Sequence, residues 1–359
     1  MEDKTALQAK MLLNRLQKRF RHLKKWAHAG ASTEAAAQKS GIGAFRLYDR
    51  DIPEIPLVID FYGDCAKLNE AALCGALYKR PYEKDEAEEA HWLSVMKESI
   101  GSAIGINPEF IFFKQRQKQK SGSKSKSQYE KIKEERFEKV VTEGGLFFKV
   151  NLSDYLDTGL FADRRLLRAM IRSQASGKKV LNLFSYTGSF SVYAAIGGAV
   201  STDSVDLSNT YLDWARENFE INGMKANLVK YYDDFFGRVS QVSNTLLKAD
   251  VLDFLDRAIN SKKRWDIIIL DPPAFSNSKK MTDTFDLSRD LPELVKKCLK
   301  LLTPGGKIYV SINLRRAAPS AEELETKIGK IKITDLTNSL ISEDFKGKKT
   351  PKTFLVTLK

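Results

Sequence analysis

Apolar and polar positions follow two rhythms along the chain. Residues 10–25, KMLLNRLQKRFRHLKK, place Leu12, Leu16, Phe20 and Leu23 at helical spacing, which predicts an amphipathic helix with a basic outer face. The first forty residues read as helix running into an Ala/Ser/Gly-rich stretch at 27–43. Between about Phe45 and Val150 the pattern is mixed. LVIDFYG and CAKLNEAAL predict short strands meeting at a turn near Gly63–Asp64, and residues 86–106 predict a helix through Trp92, Val95, Met96, Ile100 and Ile104. FIFFK (110–114) and GGLFFKVNL (144–152) read as strands on either side of a basic loop.

After about Asp154 short apolar runs alternate with helical segments, the mark of a parallel α/β sheet. The predicted strands are 178–185, 201–208, 244–250, 265–271, 306–313, 331–337 and 353–359. Helices are predicted through Val192, Ala195 and Ile196, over 210–222, and around 251–260 and 287–302. The expected architecture is a Rossmann-like α/β domain of seven strands over 154–359. It is preceded by a basic helical segment (1–43) and a smaller α+β domain (44–153).

Composition narrows the partners. Among 359 residues, 59 Lys+Arg against 46 Asp+Glu leave a net charge of +13, which suits a polyanionic partner. Seven Lys/Arg and no acid lie in residues 10–25, and six with no acid in residues 114–126. Arg15, Lys18, Arg19 and Lys24 in the first segment, and Lys114, Arg116, Lys118 and Lys120 in the second, are the expected RNA contacts. A solvated linker is the plainer reading of the second. Cys65, Cys74 and Cys298 are scattered and odd in number. They form neither a disulfide framework nor a metal-ligand spacing, so no metal is expected and a reducing, cytoplasmic location is. His22, His28 and His91 lie outside the motifs below. No run approaches the roughly 18 apolar residues of a membrane span, and the first residues carry Glu2 and Asp3 rather than a secretory signal.

Chemistry-bearing residues gather where predicted strands end. In an open α/β sheet ligands bind outside the carboxyl ends of the strands. The first such end is Asn182-Leu183-Phe184-Ser185-Tyr186-Thr187-Gly188, with no G-x-G-x-x-G and so no pyrophosphate cradle. Asp206, followed by Leu207, ends the next strand and can accept ribose hydroxyls. Asp250 can accept an adenine amino group, with Val251 beside the ring. Each aspartate alone also reads as a helix cap; in series they point to one adenosine-type cofactor. The last end is Asp271-Pro272-Pro273-Ala274-Phe275, where an acid, a rigid turn and an aromatic face suit a planar base beside a methyl donor.

These motifs resemble those of class I S-adenosylmethionine-dependent methyltransferases acting on nucleic acid. More narrowly, LSDYLDTGLFADRRLLR (152–168), 181–199, 205–224 and DPPAFSNSKKMTDTFDLSRD (271–290) are similar to the RlmK family. Its members methylate guanine N7 of 23S rRNA and occur as the C-terminal half of a bifunctional enzyme. The resemblance implies S-adenosylmethionine as cofactor and 23S rRNA, or the assembling large subunit, as partner, with the smaller α+β domain (44–153) as an RNA-binding domain. It implies that Thr158 and Asp163 lie near the methionine end of the cofactor and that Asn182, Phe184 and Gly188 line it. Ser185 and Thr187 are grouped with them. Asp206 is implied on the ribose and Asp250 on the adenine. Asp271, Pro272, Pro273 and Phe275 are expected to hold the target base. Residues 225–243 are longer than that family leads one to expect. Two other readings stay open at this point: an rRNA methyltransferase with another target atom (a guanine amine or cytosine C5), and a non-catalytic RNA-binding assembly factor.

Overall fold

A computed structural model describes residues 4–28, 41–78, 85–115, 136–237, 243–276, 285–314 and 318–359. Two compact units emerge: Met1–Ala162 with Glu343–Lys348, and Asp163–Ser342 with Lys349–Lys359. The first break therefore falls nine residues beyond the expected 153/154, and the N-terminal helix packs inside the first unit.

In the first unit, α1 (Lys4–His28) and α2 (Glu86–Ile104) pack with a sheet of order β1-β2-β3-β4. Its strands are β1 (Ala44–Asp49), β2 (Leu57–Tyr62), β3 (Ala72–Leu77) and β4 (Ile111–Gln115). The first three are antiparallel neighbours, and β4 runs parallel to β3 after the α2 crossover. The helical stripe read from the sequence is the buried one: Leu12, Leu16, Phe20 and Leu23 join Phe45, Phe61, Trp92, Met96 and Ile100 in one core. Buried polar groups there are paired, with Trp92 Nε1 donating to Gln8 Oε1 at 2.7 Å and Ser99 Oγ to the Ala9 carbonyl at 2.7 Å.

The strand expected over CAKLNEAAL begins later, at Ala72. Lys67, Asn69 and Glu70 interrupt the apolar alternation, and a 3-10 turn occupies Leu68–Glu70. β1 has no counterpart among the predicted strands. Nor has β5 (Glu138–Glu143), which forms a hairpin with β6 (Leu146–Asn151) through Gly144 and Gly145, both at positive φ. Residues Glu343–Lys348, drawn from near the far end of the chain, complete this unit. The Arg46 backbone N–H donates to Asp344 Oδ2 at 3.0 Å, Lys348 pairs with Asp51, and the Arg46 guanidinium lies 5.1 Å from the Phe345 ring centre.

The second unit is a sheet with helices α3 (Arg165–Gln174), α4 (Ser189–Ile196), α5 (Asn209–Glu220), α6 (Tyr232–Gly237), α7 (Val251–Ser261), α8 (Leu287–Leu299) and α9 (Ala321–Ile328). Its strands are β7 (Lys179–Leu183), β8 (Ser201–Asp206), β9 (Asn227–Val229), β10 (Asn244–Lys248), β11 (Trp265–Leu270), β14 (Leu302–Ile312), β15 (Ile331–Asp335) and β16 (Lys352–Leu358). The order is β15-β16-β14-β11-β7-β8-β10-β9. The seven expected strands are present, joined by β9, a three-residue edge strand inside the segment that looked long. Neighbours from β9 to β14 run parallel, and β16 and β15 close the other edge antiparallel. The chain winds outward from β7 to β10 and then returns to β11 on the opposite side of β7. The topological switch point, where a cleft opens in such sheets, is therefore between β7 and β11. The short pair β12 (Phe275–Ser276) and β13 (Phe285–Asp286) follows β11.

Candidate active site

The turn leaving β7 is tightly wound. Phe184, Tyr186 and Gly188 have φ of 56°, 51° and 72°, and for the two aromatic residues this region costs about 1–3 kcal/mol each. The neighbouring strand holds the turn in place. The Ser185 N–H donates to the Val205 carbonyl at 3.0 Å, and the Tyr186 N–H to Asp206 Oδ2 at 2.9 Å. Gly188 is required on two counts, since a Cβ there would also stand 2.8 Å from Ala215 Cβ on α5. Its missing side chain thus makes room for a helix.

Asn182 and Thr187, expected to face a cofactor, are buried. Asn182 Nδ2 donates to Ser191 Oγ at 2.9 Å, and that hydroxyl shares a 2.7 Å hydrogen bond with Ser204 Oγ, tying β7, α4 and β8 together. The Thr187 carbonyl accepts from Asn218 Nδ2 at 2.9 Å. Phe184 packs against the core beneath the sheet.

Asp206 ends β8 and is partly buried, with the exposed Leu207 next to it. Burial pushes its carboxyl up to about 6, opposed by the backbone N–H groups of Ser208, Tyr186 and Leu207. Ser185 Oγ on the adjoining turn is buried without a hydrogen-bond partner. A vicinal diol or other hydroxyl donor suits this pair of acceptors. Asp250 caps α7, its Oδ1 accepting from Leu252 N at 2.9 Å and Asp253 N at 3.2 Å. Its cap role is realised, while Val251 is in the core with Leu247 and Phe254.

At the end of β11 the carboxylate of Asp271, expected to be free for a base, is already engaged. Arg164 forks onto it, NH2 to Oδ1 at 3.0 Å and Nε to Oδ2 at 3.2 Å, and gives NH1 to Asp163 Oδ2 at 2.7 Å. Burial works against the Arg164 charge, but the two carboxylates outweigh it and hold its pKa above the ordinary arginine value. One guanidinium between two acids leaves one net negative charge at the switch point. The second oxygen of Asp163 is buried and without a hydrogen-bond partner. Asp163 and Arg164 also line a small polar cavity with Thr337, Thr350 and Thr353. Arg164 is absent from the residues that the sequence singles out. It stands in TGLFADRR next to Asp163, and the signal was two acids assigned to one site without a counter-charge. Pro272 is buried, and the Ala274 carbonyl accepts from Leu287 N at 3.2 Å. The Phe275 side chain lies outside the described residues, although its backbone pairs with Asp286.

Thr158 belongs to the first unit, where its hydroxyl shares a 2.8 Å hydrogen bond with Tyr62. Of the expected RNA contacts, Lys18 and Lys24 are exposed. Arg15 is paired with Asp51 at 2.7 Å, and Arg19 donates to the Leu47 and Asp344 carbonyls at 3.3 and 3.2 Å. Lys114 is buried in β4. Arg116, Lys118 and Lys120 lie outside the described residues. No described helix is long and apolar enough to cross a membrane.

Known proteins match this arrangement. The chain is 41% identical over 336 residues to the ribosomal RNA large subunit methyltransferase K of Neisseria meningitidis serogroup B, covering 94% of this chain and 84% of that protein. It is 39% identical to the ribosomal RNA large subunit methyltransferase K/L of Shewanella pealeana, of whose length it spans only 41%. Among solved structures, SMU.776, described as a methyltransferase complexed with SAH, shares the fold, with a TM-score of 0.67 and 24% identity over 97% of this chain and 81% of that one. Residues 64–330 match the profile of a family described as S-adenosylmethionine-dependent methyltransferase. The chemistry of the site is compatible with that cofactor: Asp206 offers acceptors for a diol, Ser185 Oγ is buried without a partner, and the cluster at Asp271 carries net negative charge. With these strand ends and this match over most of its length, the chain belongs to the S-adenosylmethionine-dependent methyltransferase family.

Proposed function

We propose that this chain methylates N7 of a guanine in 23S rRNA, as free RNA or in the assembling large subunit, in the cytoplasm. The names of its relatives support the RNA. The observations that carry the target atom are that the described cysteines are buried and that the Asp271 carboxylate is already bound by Arg164. Methylation at cytosine C5 needs a thiolate to add to the ring. The stretch after β14 begins Asn313-Leu314-Arg315-Arg316-Ala317, with no cysteine. Cys298, in the preceding helix, is buried in the core and its thiol is pushed up to about 12 by that burial. An exocyclic amine must lose a proton, and the Asp271 carboxylate that would take it is already forked by Arg164. Guanine N7 offers its lone pair on the neutral base and needs neither.

S-adenosylmethionine supplies an electrophilic methyl group on a sulfonium. Asp206, Asp250 and the Phe184–Gly188 turn would hold its nucleoside, and Asp163 its methionine end. What remains for the chain is positioning and charge. Two prolines after Asp271 fix the loop on which the base rests. In-line placement alone is worth several kcal/mol. The net negative Asp163–Arg164–Asp271 cluster favours the positive ring that forms on N7 methylation. The first unit supplies RNA affinity in this reading.

Borohydride and aniline cleave RNA at N7-methylguanosine. Methyl transfer from labelled S-adenosylmethionine to 23S rRNA, followed by that cleavage at the labelled site, is the expected result. A labelled RNA that resists cleavage removes the N7 assignment.

A further inference from the structure

α1 carries eight Lys/Arg residues and no Asp or Glu over its 25 residues. The structure sorts them into two sets. Two, flanking the buried stripe, are engaged inside the unit: Arg15 on Asp51 at 2.7 Å, and Arg19 on the carbonyls of Leu47 and Asp344. The other six face solvent: Lys4 at the start of the helix, and Lys10, Lys18, Arg21, Lys24 and Lys25 further along it. Lys18, Arg21 and Lys25 follow one another at i, i+3 and i+7 along a single stripe, with Lys10 and Lys24 on the adjoining row. Neighbours three and four apart on a helix surface interact, so these like charges repel one another.

Several solvent-facing cations on other helices of the described chain have an acid beside them. Arg216 on α5 has Asp213 and Glu220 within about one turn, and Arg257 on α7 pairs with Asp253. Lys296 on α8 pairs with Glu293 and Lys297 with Asp256. Among the described residues no acid pairs with any of the five on α1. An ordinary solvated face mixes signs, whereas this one collects positive charge at the expense of its own helix.

We propose that this outer face, Lys10, Lys18, Arg21, Lys24 and Lys25, is the surface on which the rRNA phosphate backbone docks. The inference rests on the rRNA reading above and narrows it to five side chains. At 1.5 Å rise per residue the row from Lys10 to Lys25 is about 22 Å long, enough to follow several phosphates. A basic amphipathic helix can also lie on an anionic membrane, but only by inserting its apolar side. Here Leu12, Leu16, Phe20 and Leu23 are spent in the protein core. The exposed face is dominated by charge, with only Leu7 and Met11 as large apolar residues on it, too few to anchor a helix in a bilayer, which suits a polyanion. Arg15 and Arg19, by contrast, are fixed within the protein and set the pose of the helix.

The test uses full-length protein and deproteinised 23S rRNA, with binding followed across a potassium chloride series. The variant K10Q/K18Q/R21Q/K24Q/K25Q should flatten the log–log salt dependence by about 0.7–0.9 for each phosphate no longer neutralised, or about 3.5–4.5 for all five. Its S-adenosylmethionine affinity, measured by calorimetry, should stay within about twofold of the parent, since none of the five belongs to the cofactor site. A salt slope equal to the parent's overturns the proposal. So does a variant that binds naked rRNA normally yet fails on large-subunit precursor particles, because that outcome assigns the face to an acidic protein. R15Q/R19Q should lower the melting temperature and leave the slope unchanged. An equal per-residue effect on the slope would erase the division into two sets. Parent protein that methylates no 23S rRNA at all defeats the functional reading itself, and is told apart by needing no variant.

Discussion

Arg46 and Arg164 each bridge two carboxylates, and their settings differ. Arg46, on β1, gives Nε to Asp60 at 2.5 Å and NH1 to Asp49 at 2.9 Å. Its acids are 14 and 3 residues away, and Asp60 is its register partner on β2. Arg164 reaches Asp271, 107 residues further along the chain. The first cluster braces a hairpin, is partly open to water, and adds to pairing that the strands already make. The second is buried at the switch point and fixes a loop that no ladder holds. Identical chemistry thus makes a brace in one place and a positioning device in the other. What separates them is sequence distance and burial.

Removing the guanidinium should break this comparison most visibly. Arg164→Ala leaves Asp163 and Asp271 largely buried and uncompensated, a loss of about 3–5 kcal/mol in a urea titration. Arg164→Lys keeps a charge but not the planar fork. It should fold, bind S-adenosylmethionine, and lose at least about tenfold in methyl transfer per folded molecule. Normal transfer by that variant would reduce Arg164 to a second brace.

Asp206 is the control that sharpens the contrast, an acid held by backbone N–H groups rather than by an arginine. With its carboxyl raised to about 6, it should lose cofactor affinity as pH falls through 6. The loss approaches at most about tenfold per unit below that point, because the protonated form is a much weaker acceptor for a diol than the carboxylate. The unliganded protein should behave in the opposite sense. A carboxyl raised in the fold binds its proton more tightly there than in the unfolded chain, so its contribution to stability declines as pH rises from about 4 through 6. Asp206→Asn should remove both trends, with calorimetry and thermal melts reading one each. Asp206→Ala should weaken binding by about 1.5–3 kcal/mol at neutral pH.

Arg46→Gln is the smallest expected effect. Its side chain and that of Asp60 are each 20% exposed, so water screens what is left, and about 1 kcal/mol of stability is the expected loss. Transfer rate per folded molecule should not change. A fall in rate matching that of Arg164→Lys would dissolve the distinction between brace and device.

Strands with dense apolar runs, such as WDIIIL or GKIYVSI, were legible because burial on both faces leaves no competing pattern. β1 was not, since AFRLYD carries Arg46 and Asp49 within six residues, and their mutual pairing is a tertiary fact. β9 escaped because three residues at an edge make no period. In the site, acids at strand ends were legible from position alone. Their roles were less so: Asp250 spends one oxygen on its helix, and Asp271 spends both on Arg164. A partner 107 residues away leaves no local trace, so the fork could not be read from spacing. The basic character of α1 was plain, but which cations face inward depends on Asp51 and on residues 343–344.

The strip Glu343–Lys348 imposes an order on synthesis. Arg19 and Arg46 receive Asp344, and Asp51 receives Lys348, only after nearly the whole chain has left the ribosome. Emerging N-terminal first, the unit built on residues 1–162 must wait with two arginines and an aspartate short of these partners while residues 163–342 of the second unit are made. Its last contacts join positions some three hundred residues apart, the kind of closure that slows folding. A fragment ending at residue 162 would be released in that unfinished state, with its basic helix propped by fewer partners. In this protein the beginning is completed by the end.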